Sequence, residues 1–220
     1  MVPGEKMRRV GVIGDVHAEH ARLEQALGFL RAREADLICC VGDLVDGGGD
    51  ADRACDLLRE HAIPTVLGNH ERWFLTGDAP AGVKQTESLT AANREFLRSL
   101  PATLPISTVA GPALLCHGVG DDDMAELFPD TRGYALMDIP TLRELMIDPD
   151  VTYMIAGHTH QRMVRRFSGL TVVNAGTLHR GFAAGFIEID FSQKEVQCFD
   201  FEGDEILERE SRELPDPAPL

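Results

Sequence analysis

Three short apolar runs in the first seventy residues, at positions 10–13, 37–41 and 65–67, each stop at a glycine followed by a polar residue: Gly14-Asp15, Gly42-Asp43 and Gly68-Asn69. An apolar run of strand length that breaks at such a pair reads as a strand entering a loop. Between the first two runs Leu23, Ala26, Leu27 and Leu30 recur at helical spacing. Between the second and third, Ala54, Leu57, Leu58 and His61 share one helical face. The order β-α-β-α-β predicts a parallel sheet with right-handed crossovers.

Further along, a helical pattern over 87–100 is stopped by Pro101, and runs at 104–109 and 113–116 flank Gly111-Pro112 as a hairpin. A short helix is expected over 141–147, and a strand over 153–156 runs into Gly157-His158. Runs at 163–167, 170–173, 185–191 and 196–201 read as successive antiparallel strands. Residues 202–220 change character: seven acidic residues face two arginines, with Pro215, Pro217 and Pro219 near the end. The division expected is one domain over residues 1–201 and an acidic, proline-containing, mobile tail over 202–220.

The net charge of −15 repels phosphate backbones at long range, which argues against non-specific nucleic-acid binding. No stretch of about 18 apolar residues is present, so no membrane span is expected. The N-terminal segment has no apolar signal core. Five cysteines (Cys39, Cys40, Cys55, Cys116 and Cys198) are odd in number and lack zinc-finger spacing, and Cys39-Cys40 in an apolar run read as buried, reduced thiols. A cytoplasmic protein is expected, and a homo-oligomer is compatible with the sequence.

Five separate strand ends carry residues able to bind metal: Asp15 and His17 in GDVH, Asp43 in GDLVD, Asn69 in GNHE, His117 in CHG, and His158 and His160 in GHTH. Singly, each reads equally well as a turn or a cap. Together they converge, because ligands gather outside the carboxyl ends of strands in open α/β sheets. A mixed set of Asp, Asn and His suits Mn, Fe, Co, Ni or Zn better than Ca or Mg. No cysteine belongs to it, which excludes a structural thiolate site. Seven ligands exceed what one tetrahedral ion takes and suit two ions sharing a carboxylate, an arrangement that clamps a phosphoryl group and activates a water.

The ordered motifs GDVH, GDLVD, GNHE, CHG and GHTH, over residues 9–177, resemble those of the calcineurin-like metallophosphoesterase superfamily. The short length is most similar to its small bacterial and archaeal phosphodiesterases, and NAGT at 174–177 resembles the turn that follows GHxH in that branch. The resemblance implies an α/β fold, a four-layer αββα sandwich of two mixed β-sheets. It implies that Asp15, His17 and His160 hold a first metal, that Asn69, His117 and His158 hold a second, and that Asp43 bridges both. It implies two divalent ions per chain, with manganese favoured. His70 falls at the position of the family's catalytic histidine, and Asp46 at that of the carboxylate that orients it. A carboxylate beside an imidazole raises its basicity and fixes its tautomer.

Two departures bear on specificity. Ala18 stands where the first motif continues with glycine. Asp46-Gly47-Gly48 stands where the protein-phosphatase and diadenosine-tetraphosphatase branches carry Asp-Arg-Gly, so their phosphate-binding arginine is missing; Arg72, Arg132 and Arg162 are candidate replacements. The expected function is therefore hydrolysis of small organic or nucleotide phosphodiesters by attack of a metal-bridging hydroxide, with His70 protonating the leaving group. A phosphomonoesterase or Ser/Thr protein-phosphatase-like enzyme is the alternative, and a non-catalytic scaffold the third. Asp121-Asp122-Asp123 reads as a solvated loop, Trp73 and Tyr134 as packing residues, and the loops 76–90 and 119–139 as the seat of substrate choice.

Overall fold

A computed structural model of the chain describes residues 6–83, 85–203 and 205–219. The first half runs β1 (Arg9–Ile13), α1 (His20–Ala32), β2 (Leu37–Cys40), α2 (Ala51–Glu60), α3 (Asn69–Thr76), α4 (Ala91–Ser99), β3 (Thr103–Thr108) and β4 (Gly111–Cys116). The second half runs α5 (Tyr134–Met137), α6 (Pro140–Ile147), β5 (Tyr153–Ala156), β6 (Met163–Arg166), β7 (Thr171–Asn174), β8 (Gly185–Asp190), β9 (Glu195–Glu202) and β10 (Glu205–Glu213). Two five-stranded sheets result, in the orders β10-β9-β8-β1-β2 and β3-β4-β5-β7-β6. Both are mixed. In the first, only β1 and β2 run parallel. In the second, β4, β5 and β7 are parallel and β3 and β6 close the edges antiparallel.

Strand alternation builds the layers. Val10 and Val12 of β1, Leu37 and Cys39 of β2 and Ile187 and Ile189 of β8 point into a core between the sheets, meeting Ala113, Leu115, Tyr153, Ile155 and Val173 from the second sheet. The alternate residues Ile13, Ile38, Cys40 and Phe186 point the other way, against Leu23, Leu27, Leu30, Leu57 and Leu58 of α1 and α2. On the far face of the second sheet, Cys116, Met154, Ala156 and Val172 meet Leu142 and Leu145 of α6. Helix, sheet, sheet, helix is the four-layer sandwich expected. Because the central strands are covered on both faces, they read as unbroken apolar runs. No helix among the described residues is long and apolar enough to cross a membrane.

Three local expectations are corrected. The run at 65–67 supplies only one bridge, Thr65 to Cys40, because the chain must leave the sheet at Gly68 to begin α3, a helix that the apolar periodicity did not signal. The helix expected over 87–100 starts later, at Ala91, where Thr90 accepts the Asn93 N–H as its cap. The third concerns the acidic tail. Residues 205–213 form β10, paired antiparallel with β9. Ile206 packs on the first helical layer, and Leu214 is fully buried between the sheets. Its glutamates line a sheet edge, where charge stays solvated and discourages edge-to-edge pairing. Arg209 meets Asp200 and Glu202 there. Residues Asp204 and Leu220 of that segment lie outside the described residues.

Candidate metal centre

The carboxyl ends of β1, β2, β4 and β5 and the start of α3 deliver the motif residues to one place. Donor atoms of Asp15, His17, Asp43 and His160 lie within 4.8 Å of one another, and so do those of Asp43, His117 and His158. Asp43 belongs to both groups. Asn69 completes the second: its Oδ1 is 2.8 Å from His117 Nε2 and 3.0 Å from His158 Nδ1. All seven side chains expected as ligands are therefore brought together.

Backbone geometry aims them. His17, Asp43, Asp46, His158 and His160 all have positive φ, between 45° and 66°. For an L-residue this left-handed region costs about 1–2 kcal/mol, and such strain clusters at functional turns. Ala18 shares it at φ 59°, which gives a physical reason for glycine at that place in related motifs. The turns also brace each other. His17 N–H donates to the Asp43 carbonyl at 2.7 Å, and Thr177 Oγ1 donates to the Asp15 carbonyl at 2.7 Å. Gly157 leaves the room Asp15 needs, since a Cβ there would sit 2.3 Å from Asp15 Oδ1.

The imidazoles are held from behind. His17 Nδ1–H donates to the Asp46 carbonyl at 3.1 Å, and His117 Nδ1–H to the Val41 carbonyl at 2.7 Å, so each turns Nε2 toward the centre. His70, on the first turn of α3, donates Nδ1–H to Asp46 Oδ2 at 2.8 Å. Its ring rests against Trp73, with centroids 4.8 Å apart. Burial opposes protonation of His70, but the Asp46 hydrogen bond and the nearby charges of Asp43 and Asp46 outweigh it and hold the pKa above the usual imidazole value.

Three observations match the donor set to divalent cations. Asp15 Oδ2 is buried with no hydrogen-bond partner. Nε2 of His17 and Nε2 of His160 face each other at 3.0 Å, where a shared cation is the natural occupant. Burial disfavours charge on His117, yet Asp43 and Asp15 push its pKa up to about 10, so the cluster draws positive charge. These oxygen and nitrogen donors fit two borderline metal ions sharing one carboxylate.

The sequence reading missed several supporting residues. Glu71, the last letter of GNHE, is fully buried, and its carboxylate accepts N–H groups from Asp43, Leu44, Val45 and Gly68 at 2.6–3.2 Å. It thus holds the loop that presents Asp43. Burial and then the charge of Asp43 push its pKa up to about 7, while the N–H donors pull it back. An acid at the third position of a helix was the available signal. Thr86 binds both ends of Asp46, accepting its N–H at 2.9 Å and donating N–H to its Oδ1 at 2.6 Å. His179, left without a partner by the sequence, lines the cleft over the cluster with His17, Asp46, Gly47, Gly48, His70, Val83, His160 and Phe182. This cleft encloses about 450 Å³.

None of the candidate clamp arginines lines it. Arg72 is held in a two-pronged ion pair with Asp123, at 2.7 and 2.9 Å, which gives Asp123 a structural role while Asp121 and Asp122 stay exposed. Arg162 pairs with Asp200, and Arg132 is exposed. Among the described residues around the cleft, no lysine or arginine takes part.

Part of the chain is similar to serine/threonine-protein phosphatase 1 of Salmonella typhimurium, 37% identical over 98 residues, 44% of each chain. The matched part thus spans under half of that phosphatase. The fold is that of a metallophosphoesterase from Sphaerobacter thermophilus, with TM-score 0.65, 22% identity, and 94% of this chain and 90% of that one covered. It is also that of a hypothetical protein from Pyrococcus horikoshii, with TM-score 0.70, 17% identity, and 90% and 89% covered. A model of the calcineurin-like phosphoesterase family matches residues 8–162, so the chain belongs to that family.

Proposed function

We propose that this phosphoesterase hydrolyses small organic phosphodiesters, with Asp15, His17 and His160 holding one divalent ion, Asn69, His117 and His158 a second, and Asp43 bridging them. The observation that carries the reading is the pair of donor groups sharing Asp43, with His70 beside them on Asp46. Two such ions, manganese by preference, supply Lewis acidity toward phosphoryl oxygens and acidify water. The protein's own contribution is orientation and one proton. Asp46 fixes His70 with Nδ1–H engaged, which leaves Nε2 free to protonate the departing oxygen of the ester. The four N–H groups on Glu71 keep Asp43 in register while this happens.

The partial likeness to a protein phosphatase supports the second reading, a phosphomonoesterase or protein phosphatase. Against it stands Gly47-Gly48 where an arginine would neutralise the extra charge of a monoester. The test is elemental analysis of the purified protein with turnover of bis(4-nitrophenyl) phosphate and 4-nitrophenyl phosphate, before and after Mn²⁺. About two metal equivalents per chain and faster diester turnover are expected. Faster monoester turnover transfers the conclusion to the phosphatase reading. No turnover of either leaves a scaffold that has kept its ligand set.

A further inference from the structure

The cleft is lined by one histidine that the proposed chemistry does not use. His179 stands there with His17, His70 and His160, and its ring meets His17 edge-on with centroids 5.3 Å apart. Its turn is anchored three times. His179 N–H donates to Thr177 Oγ1 at 3.0 Å, and that hydroxyl donates to the Asp15 carbonyl. Arg180, the next residue, places both prongs of its guanidinium on the buried carboxylate of Glu19 at 2.6 Å and donates its backbone N–H there at 3.2 Å. Phe182 N–H closes the turn on the His179 carbonyl at 3.1 Å. The ring itself lies against Gly181, where a Cβ would sit 2.9 Å from His179 Cε1 and 3.0 Å from Nδ1.

The hydrogen bonds give this imidazole the opposite polarity to the candidate ligands. His17 and His117 donate Nδ1–H to backbone carbonyls, which leaves a lone pair on Nε2 for a cation. At His179 the backbone is the donor: Gly181 N–H reaches Nδ1 at 3.0 Å. A neutral imidazole that accepts at Nδ1 carries its proton on Nε2. That Nε2–H has no hydrogen-bond partner among the described residues, and His179 belongs to neither donor group. Resting on the phosphodiester reading, we infer that His179 is the protein's own donor to a non-bridging oxygen of the substrate phosphoryl group, in place of the missing arginine. No lysine or arginine lines the cleft among the described residues. A neutral donor suits the single charge of a diester and adds no positive charge to meet the second one of a monoester. Because the turn holds the ring before substrate arrives, the contact costs no reorganisation when charge shifts on the phosphoryl oxygens.

The test assays bis(4-nitrophenyl) phosphate and diphenyl phosphate at saturating Mn²⁺ in the wild type, His179→Ala, His179→Gln and Gly181→Ala, each checked for metal content and melting temperature. His179→Ala is expected to lower kcat/KM about 10–100-fold for both esters alike, with metal content unchanged, because a contact to a non-bridging oxygen does not depend on the leaving group. His179→Gln, which keeps an N–H near the place of Nε2, recovers most of that loss. Gly181→Ala, which pushes the ring aside without removing it, reproduces part of it. A wild-type kcat/KM in His179→Ala overturns the inference and leaves the phosphodiesterase reading standing. A loss that comes with lost metal, that is confined to the poorer leaving group, or that His179→Gln does not lessen overturns it too. If the wild type hydrolyses neither ester, that reading falls, and calorimetric binding of inorganic phosphate to the Mn²⁺-loaded protein decides: about tenfold weaker binding in His179→Ala supports the donor, and equal binding removes it.

Discussion

The turns that carry Asp43 and the β9–β10 edge are both rich in carboxylates, but they hold them in opposite ways. At the candidate metal centre, Asp15, Asp43 and Glu71 are buried, and Asp43 sits in left-handed backbone among histidines. Along β10, Glu205, Glu208, Glu210 and Glu213 are exposed on an edge strand whose register shifts between Glu208 and Glu210. Buried charge must be paired or coordinated, whereas charge at a solvated edge stabilises little and demands little. Acid count is therefore a poor guide to function in this chain. The neighbours each acid meets are the useful guide.

The sharpest break of that comparison is Asp43→Asn. It is expected to abolish turnover together with the rise in melting temperature that Mn²⁺ produces in the wild type, because stoichiometric binding to the native state stabilises it. Retention of both, followed by scanning calorimetry and diester assay, would remove Asp43 from the centre.

His70→Ala is expected to lower kcat by about 10²–10⁴-fold, most for esters with poor leaving groups, while metal content stays at the wild-type level. An acid must enter protonated, so kcat/KM should fall as pH rises through the pKa of His70, which the hydrogen bond to Asp46 acts to raise. Asp46→Asn withdraws the hydrogen-bonded carboxylate and should move that limb to lower pH. Combined with His70→Ala it should add little, since both act through one proton. Additive effects in the double variant would separate the two residues.

Glu71→Gln replaces a carboxylate, acceptor-only when ionised, with an amide that presents an N–H₂ toward N–H donors. The expected loss is about 2–4 kcal/mol of stability, read by denaturant unfolding, together with weaker Mn²⁺ binding. Charge at the β10 edge is the contrast: Glu208→Gln should change stability by less than about 0.5 kcal/mol. Leu214→Ala, just past that edge, should destabilise by about 2–5 kcal/mol and leave kcat unaltered, because only its burial matters.

Ala18→Gly should have a small effect on stability. Relief of the left-handed strain offsets loss of a buried methyl, so stability should stay within about 1 kcal/mol of wild type. A larger loss would show that packing of Ala18 outweighs its backbone conformation.

Much of this was legible without coordinates. Strand runs ending in Gly-Asp, Gly-Asn and Gly-His announced both the alternating fold and the residues that come together at the strand ends, since each combines a local conformational preference with a residue type that can bind metal. The absence of an arginine after Asp46 was visible too, and the structure adds that Arg72 and Arg162 are engaged with Asp123 and Asp200. Composition misled at residues 205–213, where density of acid masked a strand anchored by Ile206 and Leu214.

Candidate donors and element order follow from chemistry a few residues wide, which a linear chain records directly. Partnership does not. Glu71 reaches back 28 residues to Asp43, Thr86 reaches 40 to Asp46, and Arg180 reaches 161 to Glu19. Apart from the helix-start position of Glu71, nothing local distinguishes these side chains from others of their kind on the surface. Only the tertiary structure, which buries Glu71 and Glu19 and sets Phe182 against His160, decides which carboxylates brace the candidate centre and which ring faces the cleft.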